Sequence, residues 1–260
     1  MQPIEFLERV LPHDGNYCLT TISGEAPNYH TNNIFLTSAS DIVLAAETQN
    51  GKKNLYFALA SYGTRTGKGG KILRTKENVI YLRALWADID IRANEGDKKY
   101  KTFEEATTGI GQFIAKTGLP IPTIVYSGGG LHLYWPLTED IIQDEWLSYA
   151  EGLKRLAARE GFKIDPGITG DSARIMRLPG TKNLRWGTTA QVLKYTGEFP
   201  ISTFGLLKLV KQPTLAAKKE KKEFELIDSA PIFAGCAQLK LFKNGYPEQS
   251  GMHWISCGRI

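Results

Sequence analysis

Val79-Ile80-Tyr81-Leu82-Arg83-Ala84-Leu85-Trp86-Ala87-Asp88-Ile89-Asp90-Ile91 is the stretch on which the fold turns. β-branched, aromatic and aliphatic residues fill it without glycine or proline, so it reads as a long strand. A helix follows: Phe103, Ala106, Ile110, Phe113 and Ile114 recur at the spacing of one helix face between Phe103 and Thr117, and Gly118 stops it. Pro122 to Ser127 and Leu131 to Leu137 are strand-like runs joined by Gly128, Gly129 and Gly130, the composition of a hairpin. Thr138 reads as the cap of a second helix whose apolar stripe passes through Ile142, Trp146, Leu147, Ala150, Leu153 and Leu156 and ends at Gly161. Strand candidates return at Phe162 to Ile164, Arg174 to Leu178 and Ala190 to Tyr195.

The resulting order is β-α-β-β-α-β, which predicts an α+β fold with a ferredoxin-like or RNA-recognition-motif-like sheet over residues 79–200. Such an order carries no function by itself. On its N-terminal side, Ile4, Leu7, Val10 and Leu11 behind Pro3 predict a short amphipathic helix. Strand-like runs at Ile42 to Ala46 and Leu55 to Ala60 complete a small α/β subdomain over residues 1–78. Residues 201–225 are lysine-rich, notably from Lys208 to Glu225, and read as a linker or exposed helix. Phe233, Leu239, Leu241, Phe242 and Trp254 predict a packed helical segment over 226–260, which runs into Ile260 in mid-pattern and is expected to be incomplete. No solenoid repeat is visible.

Composition narrows the class. At 260 residues and 42% hydrophobic the chain can bury a core, and disorder over most of it is excluded. Its longest apolar run, Asn54 to Ala60, falls far short of the roughly 20 residues of a membrane span, and no secretion signal opens the chain. Cys18, Cys236 and Cys257 lie too far apart for a disulfide framework or a zinc site, which suits a reducing cytoplasm. A net charge of +5 does not by itself indicate a nucleic-acid partner. Its distribution is more informative: residues 1–50 hold one basic and six acidic residues, 51–85 eight basic and one acidic, and 151–195 nine basic and four acidic.

Asp88 and Asp90 place two carboxylates in an apolar strand. Residues two apart on a strand share a face, roughly 6 to 7 Å apart at the backbone, so both can converge on one cation, and oxygen ligands suit Mg²⁺ or Mn²⁺. An isolated Asp-x-Asp is equally compatible with an acidic exposed face. Tyr126-Ser127-Gly128-Gly129-Gly130-Leu131-His132-Leu133 is the second signal: its glycines either turn the hairpin or let backbone amides approach a phosphate, and His132 projects from the strand behind them. The third runs from Ile164-Asp165 through Asp171 to Arg174, Arg177 and Lys182, dense enough in cations to clamp a triphosphate or a nucleic-acid backbone, or to form a salt-bridged turn. Gly63-Thr64-Arg65-Thr66-Gly67-Lys68-Gly69 is not a phosphate loop, because its glycines are one residue too close and Gly69 stands where Ser or Thr is required; it reads as a mobile basic hairpin able to touch a template. One His in Leu131-His132-Leu133 cannot make the His-x-His metal site of a nicking relaxase.

In this order the three signals resemble the archaeo-eukaryotic primase superfamily, specifically phage- and plasmid-type primase-polymerases. That pattern is an apolar Asp-x-Asp/Glu strand, a small-residue turn leading to His, and a later apolar-Asp/Glu. Asp88 and Asp90, Ser127 to His132, and Ile164-Asp165 match it, and the resemblance covers about residues 50–195. It implies a catalytic core in which an RNA-recognition-motif-like sheet lies beside a small α/β unit. It also implies a two-ion Mg²⁺ or Mn²⁺ site on Asp88, Asp90 and Asp165, with Asp171 the rival third acid. His132 would bind the incoming nucleotide's phosphates, Ser127, Gly128, Gly129 and Gly130 would line the same pocket, and Arg174, Arg177 and Lys182 would reach the triphosphate or primer strand. The implied partners are single-stranded DNA template and primer, an NTP or dNTP, and a helicase domain or protein beyond the C-terminal segment, in a microbial cytoplasm. Two other classes compete: a non-catalytic replication module that binds DNA or nucleotide, and an Asp-x-Asp glycosyltransferase, which leaves the glycine-to-histidine turn unexplained.

Overall fold

The computed structural model describes residues 1–24, 28–92 and 99–211. The chain opens with helix α1 (Pro3–Val10), strands β1 (Tyr17–Ser23) and β2 (His30–Leu36), helix α2 (Ala39–Gln49), and strands β3 (Asn54–Ala58) and β4 (Ala60–Tyr62). Then come β5 (Val79–Asp90), α3 (Phe103–Thr117), β6 (Thr123–Tyr126), β7 (Gly130–Ile142), α4 (Gln143–Arg159) and the short α5 (Pro166–Thr169). Strands β8 (Ile175–Arg177), β9 (Lys182–Asn183), β10 (Thr188–Thr189) and β11 (Gln191–Lys194) lead to α6 (Gly205–Leu209).

Two larger sheets organise these elements. One has the order β11-β6-β7-β5-β4 and the other β2-β1-β3-β8, while β9 and β10 pair as a small hairpin. In the first, β7 pairs antiparallel with both β5 and β6, so β5 and β6 run parallel with β7 between them. That is the split β-α-β unit expected from the element order. A second unit, β7-α4-β11, encloses β6 in the same way, because β11 pairs antiparallel with β6. The two sheets exchange strands across residue 78. Leu55 to Ala60, a single run in the sequence, divides at Leu59 into β3 of one sheet and β4 of the other, and β8 crosses back to pair with β3.

Four local expectations are corrected. Ile42 to Ala46 is helical, not a strand: Ser38 caps α2 by accepting a hydrogen bond from the Asp41 amide at 3.1 Å, and Ile42 and Ala46, four apart, are the buried pair. Thr138 does not cap α4. The β5–β7 ladder continues through Leu82 opposite Ile141 and Tyr81 opposite Ile142, and this long-range pairing overrides the local capping preference. Phe162 to Ile164 is no strand; Phe162 stacks on Phe113 of α3 with centroids 4.3 Å apart. The expected linker at 201–225 is packed over its first part, where Phe204 and Leu207 are buried and α6 comes so close to α4 that a Cβ on Gly152 would strike the Leu207 carbonyl. The rest of that linker and the helical segment at 226–260 lie outside the described residues.

Burial against β5 is aromatic. Trp86 and Trp146 of α4 stack at 4.4 Å, and both indole N–H groups are satisfied, Trp86 donating to the Ile168 carbonyl at 3.0 Å and Trp146 to the Ala84 carbonyl at 2.8 Å. No helix among the described residues is long and apolar enough to cross a membrane. Trp146→Ala removes a fully buried indole and its hydrogen bond together, and we expect it to lower unfolding free energy by about 3 to 5 kcal/mol, measured by urea denaturation.

Candidate active site

Side chains alternate along β5, so Trp86, Asp88 and Asp90 share one face. Cross-strand register adds His132 opposite Asp88 and Gly130 opposite Asp90. The third acid arrives by a different route. Asp165 caps α5, its Oδ1 accepting from the amides of Gly167 at 2.8 Å and Ile168 at 3.2 Å, while its own amide donates to the Asp88 carbonyl at 2.9 Å. Trp86 steadies the same turn through its bond to the Ile168 carbonyl. Asp171, the rival acid, faces Lys76 instead, at 3.5 Å.

The electrostatics follow from this crowding. Burial, then the charge of Asp90, push Asp88 up to about 7 from an ordinary carboxylate value; Asp165 adds to the rise, and the cations of Arg174 and Arg92 oppose it. His132 Nε2 lies 3.6 Å from Asp88 Oδ1, and its Nδ1 lies 3.2 Å from the Tyr134 hydroxyl. Burial, with Arg177 and Arg174 nearby, holds the imidazole down at about 3, so it is neutral at physiological pH. Asp90 is compensated by Lys99 Nζ at 3.0 Å and an Arg92 guanidinium nitrogen at 3.7 Å.

The cations sort into different roles. Arg174 has a buried Nε without a hydrogen-bond partner among the described residues, although its charge is felt by both Asp88 and His132. That is an anion-seeking donor at the edge of the acid cluster. Arg177 is held by Asn54 Oδ1 at 2.9 Å and the Tyr56 hydroxyl at 2.7 Å. Lys182 is exposed on β9 and is placed through its backbone, which donates to Asn50 Oδ1 at 2.8 Å.

The glycine turn has a packing role that spacing alone did not indicate. Ser127 donates through its amide to the Gly130 carbonyl at 3.0 Å and accepts at its own carbonyl from Asn183 Nδ2 at 3.0 Å. Gly128 sits at φ +96°, where a Cβ would also lie 2.5 Å from Thr188 Oγ1; a Cβ on Gly129 would lie 2.7 Å from Trp186 Nε1, and one on Gly130 would strike the Ile89 carbonyl. Gly128 and Gly129 are therefore glycine because the β9–β10 hairpin lies against them, and Gly130 because the β5 backbone does. Arg92, Lys99, Tyr134, Asn183 and Trp186 are site neighbours that the sequence reading missed. Only Tyr134, two residues from His132 on the same face, carried a periodicity signal.

The donor set is chemically suited to a hard divalent cation: all three acids offer carboxylate oxygens, and Asp88 carries a charge that the fold alone does not stabilise. Among the described residues no group of three or more potential ligands is already closed to metal-holding distances.

The architecture has counterparts among solved structures. The AEP domain of the cyanophage S-2L primase-polymerase aligns with a TM-score of 0.52 and 21% identity, over 75% of this chain and 89% of that one. The catalytic domain of primase RepB′, solved in complex with initiator DNA, aligns with a TM-score of 0.49 and 12% identity, over 80% and 92%. No family model and no curated protein sequence matches the chain. The first of these likenesses shows that the chain shares the fold of that primase-polymerase domain.

Asp88 supplies a pH test. With its folded value raised from 3.8 to about 7, Asp88 binds more protons in the folded state than in the unfolded chain between those values, so its contribution to stability falls as pH rises through that window and levels off above it, while the lowered value of His132 contributes in the opposite sense between about 3 and 6.5. In EDTA, Asp88→Asn should remove this decline and be more stable than wild type at pH 8 by an amount on the order of a few kcal/mol. Denaturant melts across pH 4 to 8 check it, and parallel curves for the two proteins would contradict it.

Proposed function

We propose that this chain is a DNA primase-polymerase, performing template-directed, divalent-metal-dependent nucleotidyl transfer on single-stranded DNA in phage or plasmid replication. The observation that carries the proposal is the convergence of Asp88, Asp90 and Asp165 beside His132 and Arg174, on a fold shared with a primase-polymerase domain. In the reaction a primer 3′ hydroxyl attacks the α-phosphate of a bound nucleoside triphosphate and pyrophosphate leaves. Mg²⁺ or Mn²⁺, held by Asp88, Asp90 and Asp165, would lower the pKa of that hydroxyl and neutralise the leaving pyrophosphate.

The chain's own groups then divide the remaining work. His132, neutral and fixed between Tyr134 and Asp88, can donate one N–H to a phosphate oxygen without adding charge beside the acids. Arg174 offers its buried, unpartnered Nε–H to the same triphosphate, a charge-assisted bond that strengthens as negative charge collects on the leaving group. Arg177, braced by Asn54 and Tyr56, adds positive potential without moving. Lys182 and the basic segment at Gly63 to Gly69 would meet the DNA backbone. Asn78 braces that segment, its amide donating to the carbonyls of Gly63 at 3.2 Å, Arg65 at 3.3 Å and Leu73 at 2.7 Å.

The decisive assay supplies single-stranded DNA, Mg²⁺ or Mn²⁺ and labelled NTPs or dNTPs, with and without a primer. Wild type should incorporate nucleotide only with the cation. Asp88→Ala/Asp90→Ala should lose at least about a thousandfold in rate, equivalent to about 4 kcal/mol of transition-state stabilisation. Metal-dependent DNA or nucleotide binding without incorporation would instead identify a non-catalytic replication module, and an inert wild type would end the proposal.

A further inference from the structure

Beyond the acid cluster, the hairpin of β9 and β10 raises a loop, Leu184-Arg185-Trp186-Gly187, above the glycine turn. Asn183 builds it almost alone. Its carbonyl accepts from the amides of Trp186 at 3.2 Å and Gly187 at 2.8 Å, its Oδ1 accepts from the Arg185 amide at 3.1 Å, and its Nδ2 ties the loop to Ser127. The indole of Trp186 is half-buried against Gly129, where only the missing Cβ makes room for it. The Arg92 guanidinium lies 5.6 Å from the ring centroid and is itself fixed by bonds to the carbonyls of Ile91 and Gly129, both at 3.1 Å. Arg185 lies 5.0 Å from the same centroid and is exposed, as are Lys182 and Leu184. From Lys182 to Gly187 there is no acid.

We propose that this hairpin is a single-stranded nucleic-acid platform, with a base stacking on Trp186 and the adjoining phosphates taken by Arg185. The inference rests on the nucleotidyl-transfer reading only for the strand's destination, since Arg92 joins the platform to Asp90. Its physical basis is separate. Both guanidinium groups lie over the seated ring, and the exposed one, Arg185, can swing from it onto a phosphate; on a loop without carboxylates this offers a base the π-face that Arg185 vacates and the strand a cation, which is how single strands are held without sequence readout. The rigidity matters, because an indole already positioned by Asn183 and Gly129 loses little freedom when a base covers it.

Tryptophan fluorescence gives a direct readout. Trp86, Trp135 and Trp146 are 0%, 1% and 0% exposed, so among the described residues Trp186 is the indole a base can reach. Titrating oligo-dT in EDTA, without nucleotide, should quench the emission, and Trp186→Phe should abolish the quench. Trp186→Ala should weaken binding of a labelled oligo-dT about tenfold. Arg185→Gln should weaken it too and lower the slope of log affinity against log salt by about 1. Because Arg185 is exposed, that variant carries the test if Trp186→Ala lowers the melting temperature. Wild-type affinity and salt slope in Arg185→Gln, together with an undiminished quench in Trp186→Phe, would overturn the proposal. Equal quenching by blunt duplex would also overturn it, as would saturation by free dTTP, which would assign the ring to the incoming nucleotide. None of these measurements needs catalysis, so a failure to incorporate nucleotide leaves them intact, and active incorporation with unchanged oligo-dT binding by the variants sinks the platform alone.

Discussion

The acid cluster depends on one backbone hydrogen bond, from the Asp165 amide to the Asp88 carbonyl. Strand β5 can present Asp88 and Asp90 by alternation alone, but alternation cannot deliver a third acid from a part of the chain that forms no strand. That amide places Asp165 beside β5 without a ladder, and α5 then fixes the carboxylate by using it as a cap. The arrangement concentrates negative charge where burial already disfavours it, as the raised value of Asp88 records. Keeping such a cluster costs the fold stability at a pH where Asp88 is ionised.

Strand exchange between the two sheets serves the same place. Because β8 leaves the five-stranded sheet to pair with β3, Arg177 comes to rest on Tyr56 and Asn54, and Arg174 enters the cluster from the neighbouring layer. His132, Asp88 and Asp90 come from one sheet, Arg177 comes from the other, and Arg174 immediately precedes its strand β8. The strand-borne acids and Arg177 are thus supplied by different layers, and the junction between them is crossed by the chain at β3–β4 and again at β8.

How much of this could be read in advance follows from the range of the interactions involved. The helix Phe103–Thr117 was legible to the residue because its cap, apolar stripe and terminal glycine are all local. That Asp88 and Asp90 share a face was legible because alternation is local, whereas the register that sets His132 opposite Asp88 belongs to the β5–β7 ladder. Thr138 misled because a local capping preference lost to the β5–β7 ladder, whose partners are far apart in sequence. Ile42 to Ala46 misled because five contiguous apolar residues hide a period of 3.6; the cap at Ser38 was the signal that distinguishes the two. The seating of Trp186 on Gly129 had no sequence signature, since it joins two turns whose contact exists only after both sheets have formed.

Charge counting shows the same limit in a form that bears on function. The basic blocks at 51–85 and 151–195 suggest broad positive faces, yet much of that charge is spent internally. Arg83 is buried between Asp140 and Glu198, Arg74 donates to the Ala173 carbonyl at 2.6 Å, Arg155 donates to the Val210 carbonyl at 2.7 Å, and Lys154 pairs with Glu151 at 2.7 Å. What gathers around the acids and His132 is a smaller set, Arg92, Lys99, Arg174 and Arg177, with Lys182 and Arg185 exposed on the hairpin nearby. Arg92 belongs to neither block. The field a phosphate would meet is therefore set by which cations the two sheets leave facing the cluster, and net charge, whether +5 for the chain or higher for a block, measures a different quantity.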